Sequence, residues 1–257
     1  MSAASPPPPD LFHALTEPWR AGFEATRLAL AFEDLVESAP PGDDHPVLVL
    51  PSYGTGDGGT TVLRRFLRRV GYRTPPSALG RNVDRGDLRI RRVEDAARFR
   101  SRQAERVLHR VRALADETGH APSLVGWSMG GLLALDVSQH APELVRSVVT
   151  LGSPFGDPRG TSMFHLMRRL SGSRVPVEEQ DFSTWTERAR LQTHAVPITV
   201  IHSNRDGIVG RAIARLAQAP CVRHVHVDSS HLGFAAHPEV YSEVAQALAR
   251  TALTRAA

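Results

Sequence analysis

The chain has 257 residues, of which 41% are hydrophobic, and its formal net charge is +4 at pH 7. This length and composition favour a single domain with one large core, and the single cysteine, Cys221, excludes an intrachain disulfide and fits a reducing compartment. There is no run of 18 apolar residues and no signal-peptide core, so the sequence predicts no transmembrane segment and a cytoplasmic location.

The first 45 residues differ in character from the rest of the chain. Residues 1–9 end in four consecutive prolines and are expected to form a disordered tail. Residues 10–38 are compatible with a helix that carries an apolar stripe of Leu11, Leu15, Trp19, Phe23 and Leu30. The predicted division is therefore a tail and helix over 1–45 and a main domain over 46–257.

Arginine supplies all 31 basic residues, and sixteen of them lie between residues 64 and 112, together with five acids. A basic stripe can bind nucleic acid or anionic lipid. Because no nucleic-acid motif and no interleaved aromatic residues accompany this one, the sequence favours a solvated helical face and no nucleic-acid partner. A third interpretation is intramolecular, since residues 1–46 have eight acids and two arginines and could lie on this face.

Strand-like and helix-like segments alternate from residue 47 onward. Strands are predicted at 47–50, 72–79, 123–127, 146–151, 197–202 and 222–227, and helices at 60–70, 94–118, 129–140, 210–219 and 238–252. The alternation predicts an α/β fold with a mostly parallel sheet of about six strands and helices on both faces.

The strand at 123–127 runs directly into Gly126-Trp127-Ser128-Met129-Gly130, which is followed by a helical pattern. This Gly-x-Ser-x-Gly arrangement is typical of a nucleophile elbow, where the chain turns so sharply that a Cβ two residues either side of the serine would collide with neighbouring backbone. The sequence therefore predicts Ser128 as a nucleophile.

A serine nucleophile requires a base and a group that orients the base. Asp206 follows the strand at 197–202, and His231 follows the strand at 222–227, so both are predicted to lie with Ser128 at the carboxyl ends of parallel strands. Asp206 is the predicted acid and His231 the predicted base. Asp181 is a second choice for the acid, because it follows no strand.

The remaining histidines allow one competing interpretation. His224 and His226 share one face of a predicted strand, which a metal ion could use, but no third ligand stands at a matching spacing. The sequence therefore predicts no metal site.

Three of these motifs together resemble a known family. They are the Gly-Trp-Ser-Met-Gly elbow, the loop Ser203-x-x-Asp206-x-x-Val209, and the loop Ser230-His231-Leu232-Gly233 before the last helix. They resemble the α/β-hydrolase fold, and within it bacterial esterases and lipases, from about residue 47 to the C-terminus. The resemblance implies a serine hydrolase that needs no cofactor and acts on a small-molecule acyl ester.

The same resemblance implies an oxyanion hole. One donor is expected to be the backbone N–H of Met129, which follows the nucleophile. The second is expected in the loop after the first core strand, where matching the family's His-Gly-x or Pro-Gly-x pattern selects Tyr53. Ser52 departs from that pattern, which has glycine there, and Gly54 is the alternative donor.

About 40 residues between Pro154 and Val196 exceed what the bare fold needs, and related enzymes often insert a lid at this point. The predicted lid covers residues 155–190. Its apolar stripe could be ordinary core packing or the wall of an acyl pocket. The residues expected to contact substrate are Trp127, Met163, Leu166 and Met167.

The sequence thus predicts a serine carboxylic-ester hydrolase that forms an acyl-enzyme on Ser128. An acyltransferase or thioesterase would use the same three residues with a different acceptor or leaving group. A catalytically silent binding protein of the same fold is disfavoured, because it need not retain all three. The sequence leaves the acyl length, the alcohol and the oligomeric state open.

Overall fold

A computed structural model describes residues 5–83, 92–164, 166, 176–177, 180–189 and 196–256. Five strands form one sheet in the spatial order β1-β2-β3-β4-β5, namely Val47–Leu50, Ser123–Trp127, Ser147–Leu151, Ile198–His202 and Val222–His226. Every neighbouring pair is parallel, so all five strands end at the same edge of the sheet. The loops that follow them are therefore brought together there.

Helices cover both faces of this sheet. They are α1 (Leu11–Ser38), α2 (Thr61–Val70), α3 (Val93–Thr118), α4 (Met129–His140), α5 (Ser183–Glu187) and α6 (Pro238–Ala256), with short 3-10 turns at Asp57–Thr60, Pro142–Leu144, Pro158–Gly160, Arg211–Ile213 and Leu232–Ala235. Leu48 and Leu50 of β1 pack with α3 and α4, whereas Val47 and Val49 pack with α2 and α6, because successive side chains of a strand point to opposite faces. The predicted parallel sheet with helices on both faces is confirmed. Among the described helices, none is both long and apolar enough to cross a membrane.

Two predicted elements do not form. Residues 72–79 make only an isolated bridge between Arg73 and Pro46, and Pro75 and Pro76 lack the N–H groups that a further strand would need, so the sixth strand was wrong. The helix predicted at 210–219 is reduced to the turn Arg211–Ile213. The Ile213 carbonyl accepts a hydrogen bond from Phe155 N at 2.7 Å, so it serves a tertiary contact instead of a helix.

The N-terminal helix α1 has its apolar stripe on the outside. Leu11, Leu15, Trp19, Phe23 and Leu30 are all exposed, and Trp19 is 84% accessible to solvent. The inner face of α1 instead contributes buried Leu28 and two buried carboxylates, Glu17 and Glu24. The helix therefore packs against α2, α6 and the turn Leu232–Ala235 with these two carboxylates turned inward beside apolar residues.

Two arginines of the segment 64–112 contact α1 within the described residues, and one of them, Arg65, lies over the ring of Phe32 with 5.6 Å between its guanidinium carbon and the ring centre. Glu33 of α1 and Arg69 of α2 form an ion pair at 2.7 Å. Arg100, in contrast, is fully buried and makes two hydrogen bonds of 2.6 and 2.7 Å to Asp136, with its guanidinium 5.0 Å from the centre of the Trp185 ring. The basic segment thus includes structural arginines as well as solvated ones.

Candidate active site

Ser128 lies in the tight connection between β2 and α4, and its backbone is strained. Its φ is 54° and its ψ is −115°, a conformation that a residue with a Cβ rarely adopts. Added Cβ atoms at Gly126 and Gly130 would lie 2.4 Å from the Gly130 carbonyl and 2.3 Å from the Leu50 oxygen, so only glycine fits on either side. The geometry is that of the elbow predicted from the sequence.

Asp206 lies in the loop after β4 and is hydrogen-bonded through both carboxylate oxygens. Oδ2 accepts a hydrogen bond from His231 Nδ1 at 2.8 Å, and Oδ1 accepts from the backbone N–H groups of Ile208 and Val209 at 2.8 and 2.7 Å. The carboxylate and the imidazole are both buried. The two backbone hydrogen bonds to Oδ1 therefore hold the carboxylate in the orientation that turns Oδ2 toward the imidazole.

His231 follows β5 and is held on several sides. Its carbonyl accepts a hydrogen bond of 3.1 Å from the indole of Trp127, and its Nδ1 is engaged by Asp206, which leaves Nε2 as the basic nitrogen of the neutral ring. Burial lowers the pKa of His231, but the charge and hydrogen bond of Asp206 and the charge of Glu17 outweigh it, so that the pKa lies above the ordinary imidazole value. The arrangement favours proton uptake at this ring.

Ser128 and His231 border the same cavity, which has a volume of about 240 Å³. Within the described residues no hydrogen bond joins the Ser128 hydroxyl to the imidazole. Such contacts are often long before substrate binds. The wall is mostly apolar and includes Tyr53, Phe99, Trp127, Met129, Leu132, Phe164 and Trp185. The site therefore combines a hydroxyl and an imidazole with a wall suited to hydrocarbon.

The two predicted oxyanion donors, Tyr53 and Met129, border this cavity as well. Met129 is the first residue of α4, where the backbone N–H has no acceptor within the helix. The alternative donor, Gly54, already gives its N–H to the Asn82 carbonyl at 2.8 Å. Tyr53 and Met129 thus border the same cavity as Ser128, whereas the N–H of Gly54 is bound to Asn82.

The residues predicted to contact substrate differ in position. Trp127 and Met163 border the cavity. Leu166 is 49% exposed and does not border it, and Met167 lies outside the described residues. Phe164 and Trp185 supply the apolar wall on this side instead. Part of the predicted insertion is therefore cavity wall, and Leu166 is surface.

Sequence reasoning missed the two buried carboxylates of α1, which contact the loops that carry Asp206 and His231. Glu17 accepts from the backbone N–H groups of Gly207, His231 and Leu232. Glu24 accepts from the N–H and the hydroxyl of Ser230. Their spacing of seven residues, which puts them on one helical face opposite the apolar stripe, is the signal that was available.

A second serine, histidine and aspartate group lies at the other end of the sheet. His45 Nε2 is 2.9 Å from Ser123 Oγ, and its Nδ1 bonds to Asp43. Ser123 is fully buried, also bonds to Ser147 at 2.8 Å, and does not border the cavity that Ser128 and His231 share. This group therefore resembles a catalytic arrangement in its hydrogen bonds, but its serine is buried away from that cavity.

Three histidines lie close together on β4 and β5, including the two that were considered as metal ligands. His202 lies near both His224 and His226, with ring centres 6.3 and 5.5 Å away. Across the described ranges, no three His, Cys, Asp or Glu side chains are placed to hold one metal ion. Burial lowers the pKa of His202 to about 4, with help from the positive charge of Arg215, so the ring is neutral near pH 7.

Comparison with known proteins agrees with this architecture. A family profile described as alpha/beta hydrolase fold matches residues 67–176, a segment that includes Ser128. No curated protein sequence matches the chain.

Several solved structures share its fold at low sequence identity. TT1662 from Thermus thermophilus is 15% identical, with a TM-score of 0.58, over 83% of this chain and 90% of that one. A structure of the metagenome-derived lipolytic enzymes LipS and LipT is 14% identical, with a TM-score of 0.57, over 84% and 96%. The proline iminopeptidase of Mycobacterium smegmatis is 14% identical, with a TM-score of 0.54, over 85% and 93%.

The protein therefore has the α/β-hydrolase fold. The structures that share it carry the names of different hydrolases, so the bond that this protein cleaves has to be argued from its own site.

Proposed function

We propose that the protein is a serine carboxylic-ester hydrolase of the esterase or lipase type, acting on small-molecule acyl esters. The observation that carries this proposal is the position of Ser128, which stands at a strained elbow and shares an apolar cavity with the Asp206-bonded imidazole of His231. A nucleophile, a base and an orienting carboxylate are the three parts that acyl transfer to serine requires.

In the proposed reaction, His231 Nε2 takes the proton of the Ser128 hydroxyl as the oxygen attacks the ester carbonyl. The tetrahedral intermediate collapses, the ester C–O bond breaks, and the imidazolium returns the proton to the leaving alcohol. A water molecule, deprotonated by the same imidazole, then attacks the acyl-enzyme and releases the acid. Asp206 holds the Nδ1–H tautomer and stabilises the imidazolium in both halves.

The negative charge that develops on the carbonyl oxygen needs donors. Met129 N–H is the proposed first donor, since it opens α4 and the positive end of a helix dipole stabilises an anion. The backbone N–H of Tyr53 is the proposed second donor, supported by the position of Tyr53 in the lining of the same cavity.

We also propose that the protein works in the cytosol. The support is Cys221, the chain's single cysteine, which is unpaired in the structure.

Labelling with a fluorophosphonate, followed by peptide mass spectrometry, tests the nucleophile. The expected result is one labelled residue, Ser128, together with hydrolysis of p-nitrophenyl esters. Labelling of a different serine, or no turnover of any ester from acetate to palmitate, would overturn the proposal. Repeating the assay with an added alcohol or thiol identifies an acyltransferase, because acyl products other than the free acid then appear. A thioesterase is identified by hydrolysis of a thioester in preference to the matching ester, with the free acid as product.

The acid limb of the pH profile should lie above the ordinary imidazole value of pH ~6.5. His231 must be neutral to act as a base, and its raised pKa keeps the ring protonated to a higher pH, so activity falls as the pH drops through that raised value. The measurement is kcat against pH. His231→Gln should abolish turnover, whereas His224→Gln should keep both turnover and the acid limb; equal losses in the two variants would mean that the base is a different group.

Turnover should depend on acyl length, with a maximum at about four to eight carbons, because each methylene buried in the apolar cavity adds up to ~0.8 kcal/mol until the cavity ends. Met163→Ser, which removes part of the wall, should lower kcat/KM for the preferred ester about tenfold and for acetate much less. Leu166→Ser is the matched control, since Leu166 is exposed and outside the cavity. If acetate is the best substrate, or if Met163→Ser affects both esters equally, the cavity is not the acyl pocket.

A further inference from the structure

Glu17 of α1 is a buried carboxylate that contacts both loops of the proposed site. Its Oε1 accepts hydrogen bonds from Gly207 N at 2.7 Å and from His231 N at 2.9 Å, and its Oε2 accepts from Leu232 N at 3.0 Å. Gly207 directly follows Asp206 in the chain. One side chain therefore bridges the backbone beside the acid and the backbone of the base.

The bridging bonds are strong ones, because a charged acceptor meets buried N–H donors. Without the carboxylate, these buried amides would be left unpaired next to the site, which is destabilising. The charge itself is balanced by Arg20, which lies 3.0 Å from Oε1 and also donates to the Arg205 carbonyl at 2.7 Å, in the loop that carries Asp206. Glu17 and Arg20 thus form a fixed polar contact between α1 and that loop.

Glu24, two turns further along α1, makes a narrower contact. Within the described part of the chain it binds Ser230 alone, through the backbone N–H at 2.9 Å and the hydroxyl at 2.6 Å. It therefore supports the base loop, and none of these bonds reaches the acid loop. This difference makes Glu24 a useful comparison for Glu17.

We propose that Glu17 is a positioning residue for the ester hydrolysis assigned to Ser128, Asp206 and His231, because it fixes the acid loop and the base loop to one helix. The inference rests on the proposed function. It adds the N-terminal helix to the machinery of the site, although α1 contributes no residue to the cavity.

The charge of Glu17 also affects protonation of the base. Among the described residues, the charged groups that act on the His231 ring are Asp206 from the loop after β4 and Glu17 from α1. Glu24, which binds Ser230, and Arg20, which binds Glu17, are further charged groups on α1. Asp206 and Glu17 both raise the pKa of His231 against the opposite effect of burial. Removing the charge at residue 17 while keeping its shape should therefore move the acid limb of the pH profile to lower pH.

The test compares Glu17→Gln with Glu17→Asp in the full-length protein, with kcat expressed per fluorophosphonate-reactive Ser128. Glu17→Gln loses the charge and one acceptor, so we expect kcat to fall about ten- to hundredfold and the acid limb to move to lower pH. Glu17→Asp keeps the charge but is too short to reach both loops, so kcat should fall while the acid limb stays near that of the wild type. Glu33→Gln, an exposed change on the same helix, should alter neither quantity.

A purely structural role would reduce the reactive fraction and the melting temperature and leave kcat per reactive serine and the acid limb unchanged, which would overturn the inference. Should Glu17→Gln fail to fold, Glu17→Asp decides alone, because an unchanged kcat in it contradicts positioning. Failure of the proposed function is separate, since wild-type protein would then lack labelling at Ser128 or lack esterase activity.

Discussion

Replacing Ser128 by alanine should lower ester turnover by about three or more orders of magnitude and leave the melting temperature nearly unchanged. The hydroxyl is the proposed nucleophile, and alanine keeps the Cβ and the backbone conformation. The measurements are kcat on the preferred p-nitrophenyl ester and thermal unfolding. Residual activity within tenfold of wild type would contradict the assignment.

Ser123→Ala is the matched control, because Ser123 also belongs to a serine, histidine and aspartate group. Its buried hydroxyl bonds to His45 and Ser147, so its loss should cost about 1–3 kcal/mol of stability. Turnover by the folded protein should remain. Ser128→Ala should thus remove activity and keep stability, whereas Ser123→Ala should keep activity and lower stability.

Asp206→Asn should reduce kcat by about three to four orders of magnitude. Oδ1 accepts two backbone N–H bonds, so an asparagine must keep its oxygen there and turn its NH₂ group toward His231. The imidazole then accepts at Nδ1 and carries its proton on Nε2, where it can no longer take a proton from Ser128.

Asp181→Asn is the control for this second substitution. Asp181 is exposed and accepts a hydrogen bond from Ser183 N at the start of α5, a role that asparagine fills equally well. Its kcat should match wild type. A loss of less than tenfold in Asp206→Asn would mean that another group orients the imidazole.

The elbow and the main strands could be predicted because their causes are local. The glycines around Ser128 are required by backbone contacts within a few residues and with the adjacent strand β1, and apolar runs such as Val47–Leu50 match the demands of a sheet covered on both faces. Asp206 and His231 followed from the topology, since parallel strands bring their carboxyl ends to one edge.

The function of α1 could not be predicted in the same way. An apolar stripe usually marks the face of a helix that packs on the core, but in α1 the inward face carries Glu17 and Glu24. A carboxylate is stable in a buried position only if hydrogen-bond donors surround it. Here the donors are backbone amides about 190 to 215 positions away along the chain. The order of side chains along α1 gives no information about which distant backbone N–H groups need a hydrogen-bond acceptor.

The outward stripe of α1 gives the protein an intrinsic optical probe. The chain has three tryptophans, and Trp19 is exposed on this stripe whereas Trp127 and Trp185 are buried around the cavity. An aqueous quencher such as acrylamide or iodide therefore reaches chiefly Trp19, and the quenched part of the emission reports on the outer face of the helix. The unquenched part comes from the two cavity indoles, so one emission spectrum separates events at the helix surface from events at the site, without any attached label.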